Sequence, residues 1–255
     1  MGDDVTLLRL QLEWGADEAI DLDPVDRLRP LENRPFLVPR PLAIPGSPKG
    51  TPGERALAAA TQANTLDELR AVVADFDGCA LRDTATNLIF AEGNPATTTL
   101  IIGEPPGREE DRSGRAFAGP EGQLLDQMLG SIGLTRGDLM LTPLLPWRPP
   151  GGRPPSPGEM VVCQPFLHRL IMLLKPLRMV LFGGTAARTM IPRRQSRRRG
   201  ARAWEEASIS GMHGSLPALA LPGLSEMLKN PLLRRDAWAG LRLLRRSLDA
   251  VQTQT

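Results

Sequence analysis

Apolar residues recur along this chain in two rhythms. Four short continuous runs, "TTLIIG" (98–103), "DLMLTPL" (138–144), "RMVLFGG" (178–184) and "LPALAL" (216–221), have strand length and are bounded by glycine, proline or charge. Between them lie stretches with helical spacing. "GQLLDQMLGSIG" (122–133) is one, and "SPGEMVVCQPFLHRLIMLLKP" (156–176) is a longer one, capped by Ser156 with Pro157 at its first position. A short helix follows the third run, and a C-terminal helix runs through "RRDAWAGLRLLRRSLDAV". Upstream, "ERALAAATQANTLDELRAVVADF" reads as helix, with Thr65 and Glu68 spaced as a capping box. Strands that are apolar throughout and alternate with helices predict a parallel sheet covered on both faces. Ligands of such sheets bind beyond the carboxyl ends of the strands, so 103–119, 143–155, 183–203 and 222–231 are the loops expected to carry chemistry.

Outside that core the pattern changes. Residues 4–15 have amphipathic helical spacing, with Val5, Leu8 and Leu12 on one face and Trp14 near the end. From 28 to 53 proline recurs every few residues, which suits a linker or extended strap. The expected organisation is an acidic N-terminal helix (1–27), a Pro-rich linker (28–53), one α/β domain (54–250) and a short tail (251–255). The longest apolar stretch is broken by Lys175, Pro176 and Arg178, so no membrane span is expected. The N-terminus is acidic and lacks a basic leader, and Cys79 and Cys163 alone make no disulfide framework; a cytoplasmic protein is expected.

Net charge is only +2, yet Arg193, Arg194, Arg197, Arg198, Arg199 and Arg202 crowd one segment. The preference for arginine over lysine fits genomic composition, but the clustering suggests a polyanion. A solvated basic loop is the plainer alternative. In the first loop, Gly103 and Gly107 permit close backbone approach and Glu104 places a carboxylate at the mouth of the sheet. Phe117 follows a charged stretch; it either stacks on a planar ligand or folds back onto the core. The second loop, "LLPWRPPGGRPPSPG", is stiff and displays Trp147, Arg148 and Arg153.

In order, "GCALRDTATNLIFAEGNP", "LIIGEPPGREEDRSGRAFAGPEGQLLDQML", "RPPGGRPPSPGEMVVCQPFL", "KPLRMVLFGGTAA" and "LPALALPGLSEMLKNPLLRRDAWAGL" resemble the bacterial family-4 uracil-DNA glycosylases over about residues 76–248. The resemblance implies a three-layer α/β/α sandwich around a four-stranded parallel sheet. It also implies base excision, in which uracil is flipped out of DNA and displaced by water, because a stacked base hides the bond to be cut. Glu104, the one candidate catalytic group, and Gly107 match the family's first motif, and Phe117 matches the ring that stacks on uracil. Gly103, Pro105, Gly107, Phe117, Pro143 and Gly223 fall at base-binding positions. DNA contacts are implied for Arg148, Arg153, Ser225 and Lys229, and for Arg193, Arg194, Arg197, Arg198 and Arg199 in the basic run.

The departures are local. Pro105 stands where the family has Ala or Gly, removing an amide hydrogen. Pro143 stands where an Asn reads the uracil edge, and Gly223 where a His faces the carbonyl at which negative charge develops. Loss of one such donor is typically worth about 10²–10³ in rate. Only His168 and His213 exist elsewhere, one inside the long helix and one at the amino end of the last strand, opposite the site. Family members commonly hold a 4Fe–4S cluster on four cysteines; Cys79 and Cys163 match two, while Arg82 and Trp147 occupy the others, so no cluster is expected. The reading placed first is a degenerate superfamily member associated with base-excision repair, keeping contact with DNA or a repair partner. An active glycosylase with altered base preference and a non-catalytic protein-binding scaffold stand as alternatives.

Overall fold

A computed structural model describes residues 50–191 and 203–252. The acidic helix expected at the N-terminus, nearly all of the Pro-rich strap and the arginine run at 193–202 lie outside them. The elements are α1 (Pro52–Gln62), α2 (Leu66–Asp75), α3 (Ala80–Thr84), β1 (Glu92–Gly93), β2 (Thr99–Ile102), α4 (Arg108–Ser113) and α5 (Gly119–Gly130). They continue with β3 (Met140–Thr142), α6 (Pro157–Leu174), β4 (Arg178–Phe182), α7 (Gly184–Met190), β5 (Glu205–Ser208), β6 (Ser215–Leu221), α8 (Leu224–Lys229) and α9 (Leu233–Gln252). None of these helices is long and apolar enough to cross a membrane.

The sheet runs β1-β3-β2-β4-β6-β5. Its inner four strands are parallel and coincide with the four apolar runs. Two antiparallel edge strands extend the expected four-stranded sheet to six. They escape a reading by hydropathy because β1 is only Glu-Gly and β5 turns just Ala207 inward, among exposed or half-buried Glu and Ser. Short, charged strands at the edges also blunt pairing with other chains.

Register divides the core between two faces. Ile101 pairs with Leu141 and Val180, and Val180 with Leu219; this row packs against Leu125 and Leu129 of α5 and Leu241 and Leu244 of α9. The alternate positions Leu100, Met140, Met179 and Ala218 meet Leu69 and Val73 of α2 and Phe166, Leu170 and Ile171 of α6. Both faces are therefore covered, which is why side chains along these strands alternate between the faces without alternating in polarity.

The helix signals hold with one rearrangement. Ser156 Oγ accepts from Glu159 N and Glu159 accepts from Ser156 N, closing a capping box on α6 behind Pro157. The segment 54–76 divides at residues 63–65 into α1 and α2. Thr65 caps α2 through Glu68 N, but the Glu68 carboxylate reaches back to Asn64 N at 2.6 Å rather than to Thr65 N. His168 is buried and accepts from Ser210 N at 3.2 Å, and burial lowers its pKa. His213 is exposed at the amino end of β6.

Candidate functional site

The loops after β2, β3, β4 and β6 converge at one end of the sheet. Gly103 N donates to Thr142 O (2.9 Å), Leu144 N to Glu104 O (3.4 Å) and Gly183 N to Leu221 O (2.9 Å), so the ladder continues into the loops and fixes their relative positions. Glu104 projects across β4 toward the loop after β6. A methyl group on Gly183 would come within 2.2 Å of Glu104 Cγ, and one on Gly223 within 2.5 Å of Glu104 Oε2. The carboxylate thus lies over two glycines and accepts from Ser225 Oγ at 3.1 Å. Gly183 also has φ +93°, a conformation that glycine adopts without strain. Burial is the main force raising the Glu104 pKa; the Ser225 hydrogen bond opposes it, Glu226 and Glu121 reinforce it and Arg188 opposes it. Burial raises Glu121 as well, against the pull of Lys229.

Phe117 forms a second part of the site. Its ring is buried against the end of β2, so close that a methyl on Gly103 would stand 2.7 Å from Cζ. Its φ of +52° is left-handed, costing about 1–3 kcal/mol for a residue with a Cβ. Neighbours hold it there. Phe117 N donates to Glu110 Oε1 (2.7 Å), and its carbonyl accepts from Arg136 Nη2 (2.7 Å). The other Glu110 oxygen accepts from Gly107 N (2.6 Å). One buried carboxylate therefore ties the first loop to the phenylalanine. Its pKa is pushed up to about 7, because burial outweighs the two amide hydrogen bonds. Of the two readings of this ring, the core contact is present, and it forms at the mouth of the sheet rather than away from it.

Pro143 is buried just beyond β3, beside a void of about 20 Å³ that it shares with Cys163, Phe166 and Leu170. It offers no side-chain donor. Pro105 is half-buried; Glu226 and Lys229 are exposed on α8. Arg148 and Arg153 are not free cations. Arg153 grips Glu159 with two hydrogen bonds (2.9 and 2.6 Å) and holds that carboxyl down at about 2, while Arg148 Nη1 stands 3.9 Å from the buried Asp111. Asp111 in turn accepts from Thr86 N and Asn87 N, tying the first loop to the segment between α3 and β1.

Two of the four positions matched to cluster ligands meet in the core. Cys79 Sγ and Cys163 Sγ lie 3.9 Å apart and buried, while Trp147, 2 % exposed, fills its position as part of the apolar core. A four-iron cluster needs four such ligands, and the residues present do not fit one.

Glu110, Arg136, Gly122 and Gly183 were not read from the sequence as site residues. Glu110 had a usable signal: it stands three residues after Gly107, the spacing at which a carboxylate in the first turn accepts from the N-cap amide, and it does so at α4. Gly183 depends on the side chain of Glu104, 79 positions earlier, and had none.

A family model for the uracil DNA glycosylase superfamily matches residues 90–242. Similar proteins include the type-4 uracil-DNA glycosylase of Pyrobaculum aerophilum, 36 % identical over 126 residues (49 % of this chain, 64 % of that protein). That of Archaeoglobus fulgidus is 38 % identical over 123 residues (48 % and 62 %), and that of Thermotoga maritima 36 % over 126 (48 % and 66 %). The matched part spans a little under two thirds of the length of these relatives.

Proposed function

Because the chain belongs to the uracil DNA glycosylase superfamily, we propose that it engages DNA at the carboxyl end of its sheet and excises uracil weakly or not at all. The observation that carries this reading is the position of Glu104 over Gly223, bonded to Ser225. Departure of a pyrimidine base places negative charge on its carbonyl oxygens, and a donor there lowers the barrier. An ionised carboxylate at that point has the wrong sign, and the neighbouring Glu121 and Glu226 add to it. Pro143 supplies no amide to read the base edge. Gly103, Gly107 and Phe117 keep the flat, close-packed floor of a base receptor, with Glu110 fixing its shape. The predicted result with duplexes carrying uracil, hypoxanthine or xanthine is no abasic-site cleavage at neutral pH.

A second reading rests on the raised pKa of Glu104. Protonated, this carboxyl becomes a hydrogen-bond donor and could serve a base other than uracil. Its activity would be present at low pH and lost as pH rises through the elevated pKa, so the same substrates tested across pH separate the two readings.

The reading includes no iron–sulfur cluster. Trp147 braces the second loop from within the core, and the Cys79–Cys163 thiols supply half of a ligand set. Iron analysis of the purified full chain is expected to return no stoichiometric iron; four irons per chain would refute this part.

A further inference from the structure

We propose that the solvent face of α9 is a DNA-backbone track that continues the candidate site down the flank of the domain. The inference rests on the DNA-binding reading above and adds a surface to it. The face consists of Arg235, Trp238, Arg242 and Arg246, spaced i, i+3, i+7 and i+11, and every one of them is exposed. On the opposite side Ala237, Leu241 and Leu244 are fully buried.

What distinguishes these arginines is their lack of partners. Arg55, Arg112, Arg115, Arg136, Arg148, Arg153 and Arg245 are each bridged to a carboxylate. Arg82, Arg169, Arg178, Arg188 and Arg234 donate to carbonyl or hydroxyl oxygens. Among the described residues, the arginines without a hydrogen bond or ion pair are Arg70, Arg108, Arg235, Arg242 and Arg246, and the last three share one helix face. Asp249 lies at the far end of that face, where Arg245 engages it at 3.0 Å. A row of unneutralised guanidinium groups suits phosphates, which they meet with paired donors. Trp238, 42 % exposed, sits between Arg235 and Arg242 without a stacking partner among the described residues.

The face is continuous with the mouth of the sheet. Ser225 of α8 bonds Glu104, and Arg234 at the start of α9 donates to Met227 O, which joins the two helices. Leu228 and Leu232 are exposed at this junction beside Lys229. At the other end, Ser247 accepts from Arg178, the first residue of β4, so α9 runs from the mouth to the opposite end of the sheet. Arg235 to Arg246 spans about 16 Å at the helical rise. A nucleic acid that enters the mouth can thus lay its backbone along the helix. An acidic protein would need matching carboxylates at this spacing, whereas a DNA strand offers phosphates throughout.

The test uses the full chain and a fluorescein-labelled duplex, with Kd measured by anisotropy across a salt series. Each phosphate contact contributes about 0.9 to the slope of log affinity against log salt, so Arg235→Gln/Arg242→Gln/Arg246→Gln is expected to lower the slope by about 2.7. Arg70→Gln, equally exposed and unpaired but on α2, should leave it unchanged. DNA should also quench indole emission less in Trp238→Phe. If the wild type binds with a steep slope that the triple variant retains, the track is overturned while the DNA-binding reading stands. A drop of about 0.9 with Arg70→Gln, the same per charge removed, would mean general charge and also overturn it. Polyglutamate binding that depends on these arginines, with no change in the DNA slope, would reassign the face to an acidic protein. A wild type that binds no DNA at low salt removes both proposals.

Discussion

Alanine at Gly122 is expected to destabilise the protein by about 3–5 kcal/mol, a lowering of Tm of about 10 °C. Gly122 lies buried in the first turn of α5. A methyl group there would stand 1.8 Å from the Phe117 carbonyl oxygen and 2.7 Å from Arg136 Nη2. The first obstacle is backbone and cannot rotate away. The second is the group that holds that backbone, so the substitution also removes the Arg136–Phe117 hydrogen bond. Either α5 shifts or Phe117 leaves its left-handed conformation. A denaturant series with unchanged m-value would register the loss as stability alone. A loss under 1 kcal/mol would show that the loop is not held as described.

The second large effect is expected at Glu110. Glu110→Ala leaves the amides of Phe117 and Gly107 without their acceptor, a loss of about 2–4 kcal/mol for two partly buried donors. The same side chain makes stability depend on pH. Its carboxyl is pushed up to about 7 by burial, from 4.5, so the folded state holds a proton that the unfolded chain releases. Stability is therefore greatest below about pH 4.5 as far as this group is concerned, and it falls as pH rises to about 7. The span is about 3 kcal/mol. Glu104 and Glu121 are raised by burial too and contribute with the same sign. Glu110→Gln is expected to flatten the decline without abolishing it. An unchanged profile in the Gln variant would mean that Glu110 stays ionised throughout.

Much of the architecture was legible because burial on both faces writes itself as uninterrupted apolar runs. Ile101, Val180 and Leu219 belong to such runs and form one row of the core. Ser156 and Pro157 marked the start of α6 because capping is a local interaction. The edges were not legible, since Glu92–Gly93 and Glu205–Ser208 gain strand geometry from their neighbours and not from their own pattern. The site divides in the same way. Glu104, Gly103 and Gly223 could be named from a resemblance, but the filling of the space over Gly223 by Glu104 joins residues that are distant in sequence. Arg148 and Arg153 were expected to face phosphate; their engagement by Asp111 and Glu159 is likewise tertiary. Phe117 was ambiguous because a stacking platform and a core ring have the same composition, and here one ring occupies the core's edge at the mouth.

The position of Glu104 also sets what an Asn at 143 and a His at 223 would require. Gly223→His brings its Cβ into Glu104 Oε2, so the carboxylate has to swing aside. It is the end of a flexible side chain, and that movement is accessible. Pro143→Asn returns an amide at the end of β3. Together the two substitutions are expected to raise uracil excision by about 10² or more if the receptor is otherwise intact.

The most direct test is single-turnover release of free uracil from a uracil-containing duplex, comparing the native chain with Pro143→Asn/Gly223→His under identical conditions. The predicted result is no release by the native chain above the uncatalysed rate and measurable release by the double variant. Rapid release by the native chain would contradict the account, because it would mean that a carboxylate over Gly223 and a proline at 143 suffice for the chemistry.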